Sequence, residues 1–75
     1  MQRLGDDRVI TVKINGEIHS LPEGTTVTGM LLQWKMAPER VVIEHNGVIL
    51  KRDSYAAVIL RANDIVEIVQ FVGGG

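Results

Sequence analysis

Apolar and polar positions alternate at the start of the chain, in the stretch RVITVKINGEIHSL. Alternation on either side of an Asn-Gly pair is typical of two antiparallel strands joined by a tight turn. A two-residue turn would set Ile14 opposite Glu17 and leave the isoleucine without a place in the core. We therefore expect a three-residue loop over residues 14–16. The cross-strand pairs expected from that loop are Lys13 with Glu17, facing outward, and Val12 with Ile18, facing inward.

The spacing of apolar residues then changes to that of a helix. Thr26 precedes this segment and is the expected N-cap, because its hydroxyl can accept a hydrogen bond from a free backbone N–H. Pro38 is expected to end the helix, since a residue before proline disfavours helical backbone. A helix of about three turns is unstable alone in water and needs a sheet to pack on. Its apolar stripe consists of Val27, Met30, Leu31 and Trp34.

Runs rich in Val and Ile return after the helix. We expect a strand over residues 41–44, a second Asn-Gly turn, and a short strand over 48–50. Another short strand is expected over 58–60, followed by a turn at Asn63-Asp64. The last strand, over 65–71, is the longest apolar run of this part of the chain.

Alternation along the last strand gives it two different faces. It is expected to lie at the centre of the sheet, parallel to the first strand, because the helix supplies the crossover that parallel strands require. The element order predicts an α+β fold of the β-grasp (ubiquitin-like) type, with a mixed sheet of four to five strands and one main helix packed across it. We expect one domain over residues 1–71 and a flexible glycine tail over 72–75. The inner face carries Val66 and Ile68, and the outer face carries Ile65, Glu67, Val69 and Phe71.

Composition and charge exclude several kinds of function. The 75 residues include no cysteine, so disulfides, thiolate metal sites and cysteine nucleophiles are excluded within the chain. A formal net charge of −1, with scattered basic residues, argues against nucleic-acid binding. No signal peptide or membrane-spanning run is apparent, and we expect a cytoplasmic protein. His19 and His45 lack metal-ligand spacing, and we expect both to be solvated or locally hydrogen-bonded. No catalytic residue and no phosphate-binding glycine motif is found.

The last six residues, QFVGGG, allow two interpretations of the C-terminal segment. Termini are commonly disordered without purpose, and a glycine tail adds nothing to a core. Alternatively, the three glycines form an extended segment of roughly 10 Å that can enter a narrow channel of a partner because it has no side chains. The body must then provide the affinity for a partner through an apolar surface near the root of the tail. The candidates are Val69, Phe71 and Val72, with Arg52, Lys51 and Glu67 as a polar rim; Phe71 has the alternative role of an aromatic at the edge of the core.

Two stretches, VEIVQFVGGG and NGVILKRDSY, carry a resemblance to a known family. The second contains Arg52 and Tyr55, a basic residue followed by an aromatic one after the turn. Together with the β-grasp order, they resemble the ThiS family of sulfur carriers in bacterial thiamine biosynthesis. Asn63-Asp64 departs from the Gly-Asp turn usual in that family, but Asn tolerates left-handed backbone. The MoaD family of molybdopterin carriers shares the fold and typically has prolines before its glycines, which this tail lacks.

The resemblance implies that the Gly75 carboxylate is adenylated by an E1-like, ThiF-like adenylyltransferase that uses ATP. A persulfide sulfur from a cysteine desulfurase-type donor then displaces AMP and leaves a thiocarboxylate. Gly73 and Gly74 would enter the active sites of partners, and a ThiG-like thiazole synthase would receive the sulfur. The chain itself would be a non-enzymatic carrier, monomeric when free, with no bound cofactor or metal. The alternatives are a MoaD-like carrier, a ubiquitin-like modifier, and a β-grasp docking module that binds without covalent chemistry.

Overall fold

The computed structural model of the protein describes residues 8–71. The predictions for residues 1–7 and for the tail, residues 72–75, lie outside this range, and the domain boundary after residue 71 stays a prediction. Two short 3-10 turns, Pro38–Arg40 and Arg52–Ser54, lie in the connections of the described part. The strands and the helix of residues 8–71 are β1 (Val9–Ile14), β2 (Glu17–Pro22), α1 (Val27–Gln33), β3 (Val41–His45), β4 (Val48–Ile49) and β5 (Ile65–Gln70).

The sheet has the strand order β2-β1-β5-β3-β4. β5 lies at its centre, parallel to β1 and antiparallel to β3. The parallel pair is possible because the chain between β1 and β5 contains α1, which serves as the crossover. The predicted α+β fold, with a mixed sheet, one main helix and a central last strand, is confirmed.

The register of the first hairpin differs from the prediction. Ile14 pairs with Glu17 across a two-residue turn, so the predicted three-residue loop is wrong. Asn15 and Gly16 have φ angles of 51° and 84°, and positive φ at both central residues gives the turn that matches the twist of paired strands. Ile14 is only 5% exposed, because it belongs to the core together with Val12 and lies beside Val66 of β5, whereas Ile18 points outward and is 66% exposed.

The helix begins where the sequence predicts. Thr26 is the N-cap, and its Oγ1 accepts a hydrogen bond of 3.0 Å from the Gly29 N–H. The helix is shorter than predicted, with seven residues, or about two turns. It has already ended five residues before Pro38, so the proline is not what stops it.

A Schellman motif ends the helix instead. Lys35 adopts a left-handed backbone with φ of 58°. The Met36 N–H donates to the Leu31 carbonyl at 2.9 Å, and the Lys35 N–H donates to the Leu32 carbonyl at 3.1 Å. The sequence does not predict this motif, because its left-handed position is usually occupied by glycine rather than lysine.

One apolar layer fills the space between α1 and the inner face of the sheet. Trp34, predicted to belong to the core, packs against it only in part. The strand predicted over residues 58–60 is wrong, because only a single bridge joins Ile59 to Thr26. Tyr55 is buried, and its hydroxyl donates to the Val41 carbonyl at 3.4 Å, which confirms its predicted role as a loop anchor. The fully or nearly buried side chains of residues 8–71 are Val12, Ile14, Leu21, Val27, Met30, Leu31, Val41, Ile43, Tyr55, Leu60, Val66 and Ile68.

Candidate functional site

The central strand β5 presents the two faces that its alternation predicts. Val66 and Ile68 are buried under α1, whereas Ile65, Val69 and Phe71 are exposed. Val69 and Phe71 are 55% and 54% exposed, on the outer face of the sheet. Phe71 is about half exposed and is not among the side chains that pack against the core in the described range; its docking role stays a prediction.

A shallow groove crosses this outer face beside Val69 and has a volume of about 230 Å³. Its floor combines aliphatic side chains with two carboxylates. Glu44 of β3 and Glu67 of β5 stand directly opposite each other in the register of the two strands. Like charges in that position destabilise a sheet, so this pair is not there for the stability of the fold. The groove is lined by Val42, Glu44, Ile49, Glu67 and Val69.

The far end of β5 is held by a backbone hydrogen bond beyond the last paired residue. The Phe71 N–H donates to the carbonyl of Arg40 at 2.8 Å. Arg40 closes the first 3-10 turn and directly precedes β3. This bond is the last contact of the C-terminal strand within the described residues, and the predicted tail follows it. The Arg40 carbonyl is thus the acceptor for the final residue of the described range.

Arg52 and Tyr55 both bond to the segment that surrounds Arg40. Arg52 Nε donates to the Pro38 carbonyl at 3.1 Å, and one terminal guanidinium nitrogen donates to the Glu39 carbonyl at 3.5 Å. The Tyr55 hydroxyl reaches the carbonyl of Val41 on the other side. The basic-aromatic pair that stands out in the sequence therefore contacts the backbone on both sides of residue 40. Direct contact of Arg52 with a partner stays a prediction.

Two turn asparagines connect the hairpins to β5, and sequence reasoning did not anticipate these contacts. The Asn15 amide pairs with the backbone of Ile68: its Oδ1 accepts from the N–H at 2.7 Å and its Nδ2 donates to the carbonyl at 3.2 Å. On the other side, Asn46 Oδ1 accepts from the Ile65 N–H at 2.8 Å. The only signal in the sequence is the repeated Asn-Gly pair, which identifies a turn but not the long-range partner of its side chain.

His45, Asn46 and Asp64 form a polar cluster at the opposite end of β5 from Phe71. His45 Nε2 lies 2.7 Å from Asp64 Oδ2, and Asn46 Nδ2 donates to Asp64 Oδ1 at 3.1 Å. The Arg61 N–H also donates to Asp64 Oδ2, at 2.9 Å. Burial raises the pKa of Asp64, but hydrogen bonds from His45, Arg61 and Asn46 and the charge of His45 outweigh it. The pKa of Asp64 therefore lies below its ordinary value of 3.8.

The structure places both histidines in local contacts, as predicted. His45 bonds to Asp64, and the His19 ring meets the edge of Trp34 at a centroid distance of 5.3 Å. His19 Nε2 also lies 3.7 Å from a carboxylate oxygen of Glu17. No group of three or more His, Asp or Glu side chains among residues 8–71 is arranged to hold a metal ion. In the same range, no helix has the length and apolarity to cross a membrane.

The predicted site residues thus fall into two groups. Val69 and Phe71 share the outer face of β5, and Arg52 reaches the same neighbourhood through the backbone next to Arg40. Val72, Gly73, Gly74 and Gly75 lie outside the described residues. What the structure provides is an exposed apolar strand face that leads toward the root of the predicted tail.

Comparison with known proteins identifies relatives of this chain. The chain is 42% identical to a thiazole synthase of Magnetococcus marinus over 85% of its own length, and 37% identical to that of Paramagnetospirillum magneticum over 83%. It spans about a fifth of the length of these two proteins, 20% and 19%. The sulfur carrier protein ThiS of Bacillus subtilis is 32% identical, with 85% of this chain and 98% of the relative covered.

A solved structure agrees with these relatives. The crystal structure of the thiamine biosynthesis protein ThiS from Geobacter metallireducens has a TM-score of 0.74 and 33% identity, with 88% of this chain and all of that chain covered. A sequence model of the ThiS family matches residues 6–75. Because the match extends from the first hairpin through the glycine tail and the relatives have the same fold, the chain belongs to the ThiS family.

Proposed function

We propose that this chain is a sulfur carrier whose C-terminal Gly75 carboxylate is adenylated, converted to a thiocarboxylate and used to deliver sulfur for thiazole formation. The observation that carries the proposal is membership of the ThiS family over residues 6–75, a range that includes all three tail glycines. The apolar outer face of β5 supports it, since this face ends next to the point where the tail begins.

The chemistry requires no side chain of this protein. A carboxylate is a poor electrophile until one of its oxygens becomes part of a leaving group. Transfer of AMP from ATP to Gly75, with loss of pyrophosphate, provides that leaving group. The terminal sulfur of a persulfide donor then displaces AMP from the carbonyl carbon, which leaves an acyl disulfide to the donor. A second thiol attacks the donor's sulfur, forms a disulfide with it and releases the thiocarboxylate. ATP would be bound by an E1-like, ThiF-like partner, and the sulfur would come from a cysteine desulfurase-type donor.

The tail and the folded body would contribute differently to partner binding, because ordering the tail costs conformational free energy. Fixing each tail residue in a partner's active site costs on the order of 1–2 kcal/mol, so Gly73 and Gly74 supply little net affinity. The exposed side chains of Val69 and Phe71, with Val72 next to them, would supply it as a docking surface. The glycines would contribute access, because a chain without Cβ atoms fits a narrow channel.

The two relatives named thiazole synthases favour a ThiG-like enzyme as the acceptor of the sulfur. In this proposal the protein acts in the cytoplasm as a monomeric co-substrate and has no catalytic activity of its own. The family match and the relatives favour the thiamine pathway over a MoaD-like role in molybdopterin synthesis.

Intact mass measurement tests the proposal directly. The protein is incubated with an E1-like adenylyltransferase, ATP and a persulfide donor, and a variant lacking Gly75 serves as the control. We expect the mass change of one oxygen-to-sulfur exchange in the wild type and none in the shortened variant. The absence of exchange in the wild type, with partner binding unaffected by loss of Gly75, would identify a docking module instead. Attachment to lysines of other proteins would identify a ubiquitin-like modifier.

A further inference from the structure

We propose that Arg52 is a positioning residue for the C-terminal tail. Through the backbone around Arg40, it holds the acceptor of the Phe71 N–H and so fixes the residue after which the predicted tail begins. The inference rests on the proposed function for its consequence, but its structural part can be measured on the protein alone.

The first step concerns what holds the first 3-10 turn in place. None of its three residues, Pro38 to Arg40, is buried, so packing in the core does not set their position. Within the turn, the Arg40 N–H donates to the Ala37 carbonyl at 3.0 Å. The side-chain donor that reaches the turn from elsewhere in the described chain is the Arg52 guanidinium, through the carbonyls of Pro38 and Glu39.

The second step concerns the fork geometry of arginine. A planar guanidinium donates in two directions at once, so it can bind two successive carbonyls and orient the peptide between them. Tyr55 binds the Val41 carbonyl on the opposite side of Arg40. The backbone of residue 40 is therefore bracketed by two side chains that both come from the second 3-10 turn and the residue following it.

The third step links the backbone of Arg40, which Arg52 and Tyr55 contact on its two sides, to the end of β5. Because the Arg40 carbonyl accepts from the Phe71 N–H at 2.8 Å, a displaced Arg40 would release the end of the strand. A partner would then have to order at least one more residue, Phe71. Ordering one more backbone residue in a partner's active site costs roughly a factor of ten in binding. Arg52 would thus act on sulfur transfer without touching the reacting carboxylate.

The test compares Arg52→Gln with Lys51→Gln, which removes the same charge from the neighbouring exposed position. Amide hydrogen exchange of Phe71 is measured on the free protein by NMR, with the Lys13 amide, bonded to the Asp64 carbonyl, as an internal reference. In Arg52→Gln we expect the Phe71 amide to exchange roughly tenfold faster, with the Lys13 amide unchanged. In Lys51→Gln we expect both rates to match the wild type.

Transfer kinetics complete the test. With an E1-like adenylyltransferase, ATP and a persulfide donor, we expect KM for the carrier to rise roughly tenfold in Arg52→Gln, with kcat nearly unchanged. A raised KM with normal Phe71 exchange would mean that Arg52 contacts the partner directly and would overturn the inference. Faster exchange of both amides would mean a general loss of stability and would overturn it as well.

Arg52→Lys keeps the test decisive if the glutamine variant does not fold. An ammonium group can donate to one of the two carbonyls but cannot bridge both in a fork. We expect Phe71 exchange between those of the wild type and Arg52→Gln. If the Phe71 amide of Arg52→Lys exchanged at the wild-type rate, this would contradict the proposal that the Arg52 fork holds the backbone around Arg40. Failure of the wild type to gain sulfur would remove the proposed function while leaving the exchange result intact.

Discussion

At the scale of single residues, the Asp64 carboxylate contacts polar groups from two different turns. It accepts hydrogen bonds from the Arg61 N–H and Asn46 Nδ2 and lies 2.7 Å from His45 Nε2. These contacts join the turn before β5 to the turn between β3 and β4. Because they favour the ionised carboxylate, the pKa of Asp64 is lowered from 3.8 in the folded protein. Its contribution to the free energy of unfolding must therefore depend on pH.

The sign of that dependence follows from the lowered pKa. The stabilisation by Asp64 is fully present well above pH 3.8 and is lost as the pH falls through 3.8 toward the folded pKa. At pH 7 we expect Asp64→Asn to lose about 1–2 kcal/mol of stability, because the loop N–H and His45 lose a charged acceptor. Urea unfolding at pH 7 and near pH 3 measures the change. The deficit should shrink at the lower pH, whereas the exposed Asp53→Asn should show no such deficit; a deficit independent of pH would contradict the argument.

The outer-face residues were predictable from the sequence, whereas the backbone contacts of Arg52 were not. Alternation along β5 is a local pattern, and it placed Val69 and Phe71 correctly on the exposed face. The contacts of Arg52 join it to backbone 13 and 14 residues earlier in the chain. They depend on two 3-10 turns whose geometry leaves no periodic signal in the sequence.

At the scale of elements, the hairpin turns do more than reverse the chain. Each Asn-Gly turn directs its asparagine side chain toward β5, Asn15 to Ile68 and Asn46 to Ile65. Asn15 both donates to and accepts from Ile68, like a peptide group, whereas Asn46 accepts from Ile65 through Oδ1. Both side chains extend the pairing of β5 beyond the ends of the neighbouring strands. The two hairpins are thus attached to the central strand by the turns as well as by the sheet.

This attachment predicts a specific difference between two substitutions of Asn15. Asn15→Gly keeps the positive φ of 51° accessible but removes both hydrogen bonds to Ile68, and we expect a loss of about 1–2 kcal/mol. Asn15→Ala removes the same bonds and, unlike glycine, keeps a Cβ in left-handed backbone without the short polar side chain that lets asparagine adopt it. We expect it to cost about 1 kcal/mol more. Urea unfolding of both variants gives the comparison; equal stabilities would show that backbone conformation contributes little.

The errors in element prediction have one common cause, which is missing knowledge of neighbours. Pairing with Glu17 seemed to leave Ile14 outside the core, because the sequence does not show that β5 lies beside it. The helix end at Lys35 and the single bridge at Ile59 depend in the same way on contacts with other segments. The order of elements and the central position of β5 were predictable, because they follow from strand length, the helix crossover and the alternation pattern.

At the scale of the whole molecule, the sheet separates two environments. The helix and the core occupy its inner side, and the outer side carries the exposed residues of β5 and the groove beside Val69. A substitution on the outer side can therefore change binding with little effect on folding. This separation is what a carrier requires if its body is to dock on partners repeatedly and stay folded.

We expect Phe71→Glu to show this separation. Phe71 is exposed on the outer face, so the thermal midpoint should stay near that of the wild type, while KM for the carrier with the adenylyltransferase rises at least tenfold. Leu32→Glu is the matched control, since Leu32 is similarly exposed but lies on α1, on the other side of the sheet. Equal effects of the two variants, or unchanged kinetics in Phe71→Glu, would exclude the outer face as the docking surface.

The central position of β5 has a consequence for how the protein is made. During synthesis residues 8–64 emerge without the strand that both β1 and β3 must pair with. Since each half of the sheet then lacks its partner, stable folding must wait for the ribosome to release residues 65–70. A nascent chain cut short before that point would stay unfolded and open to proteases.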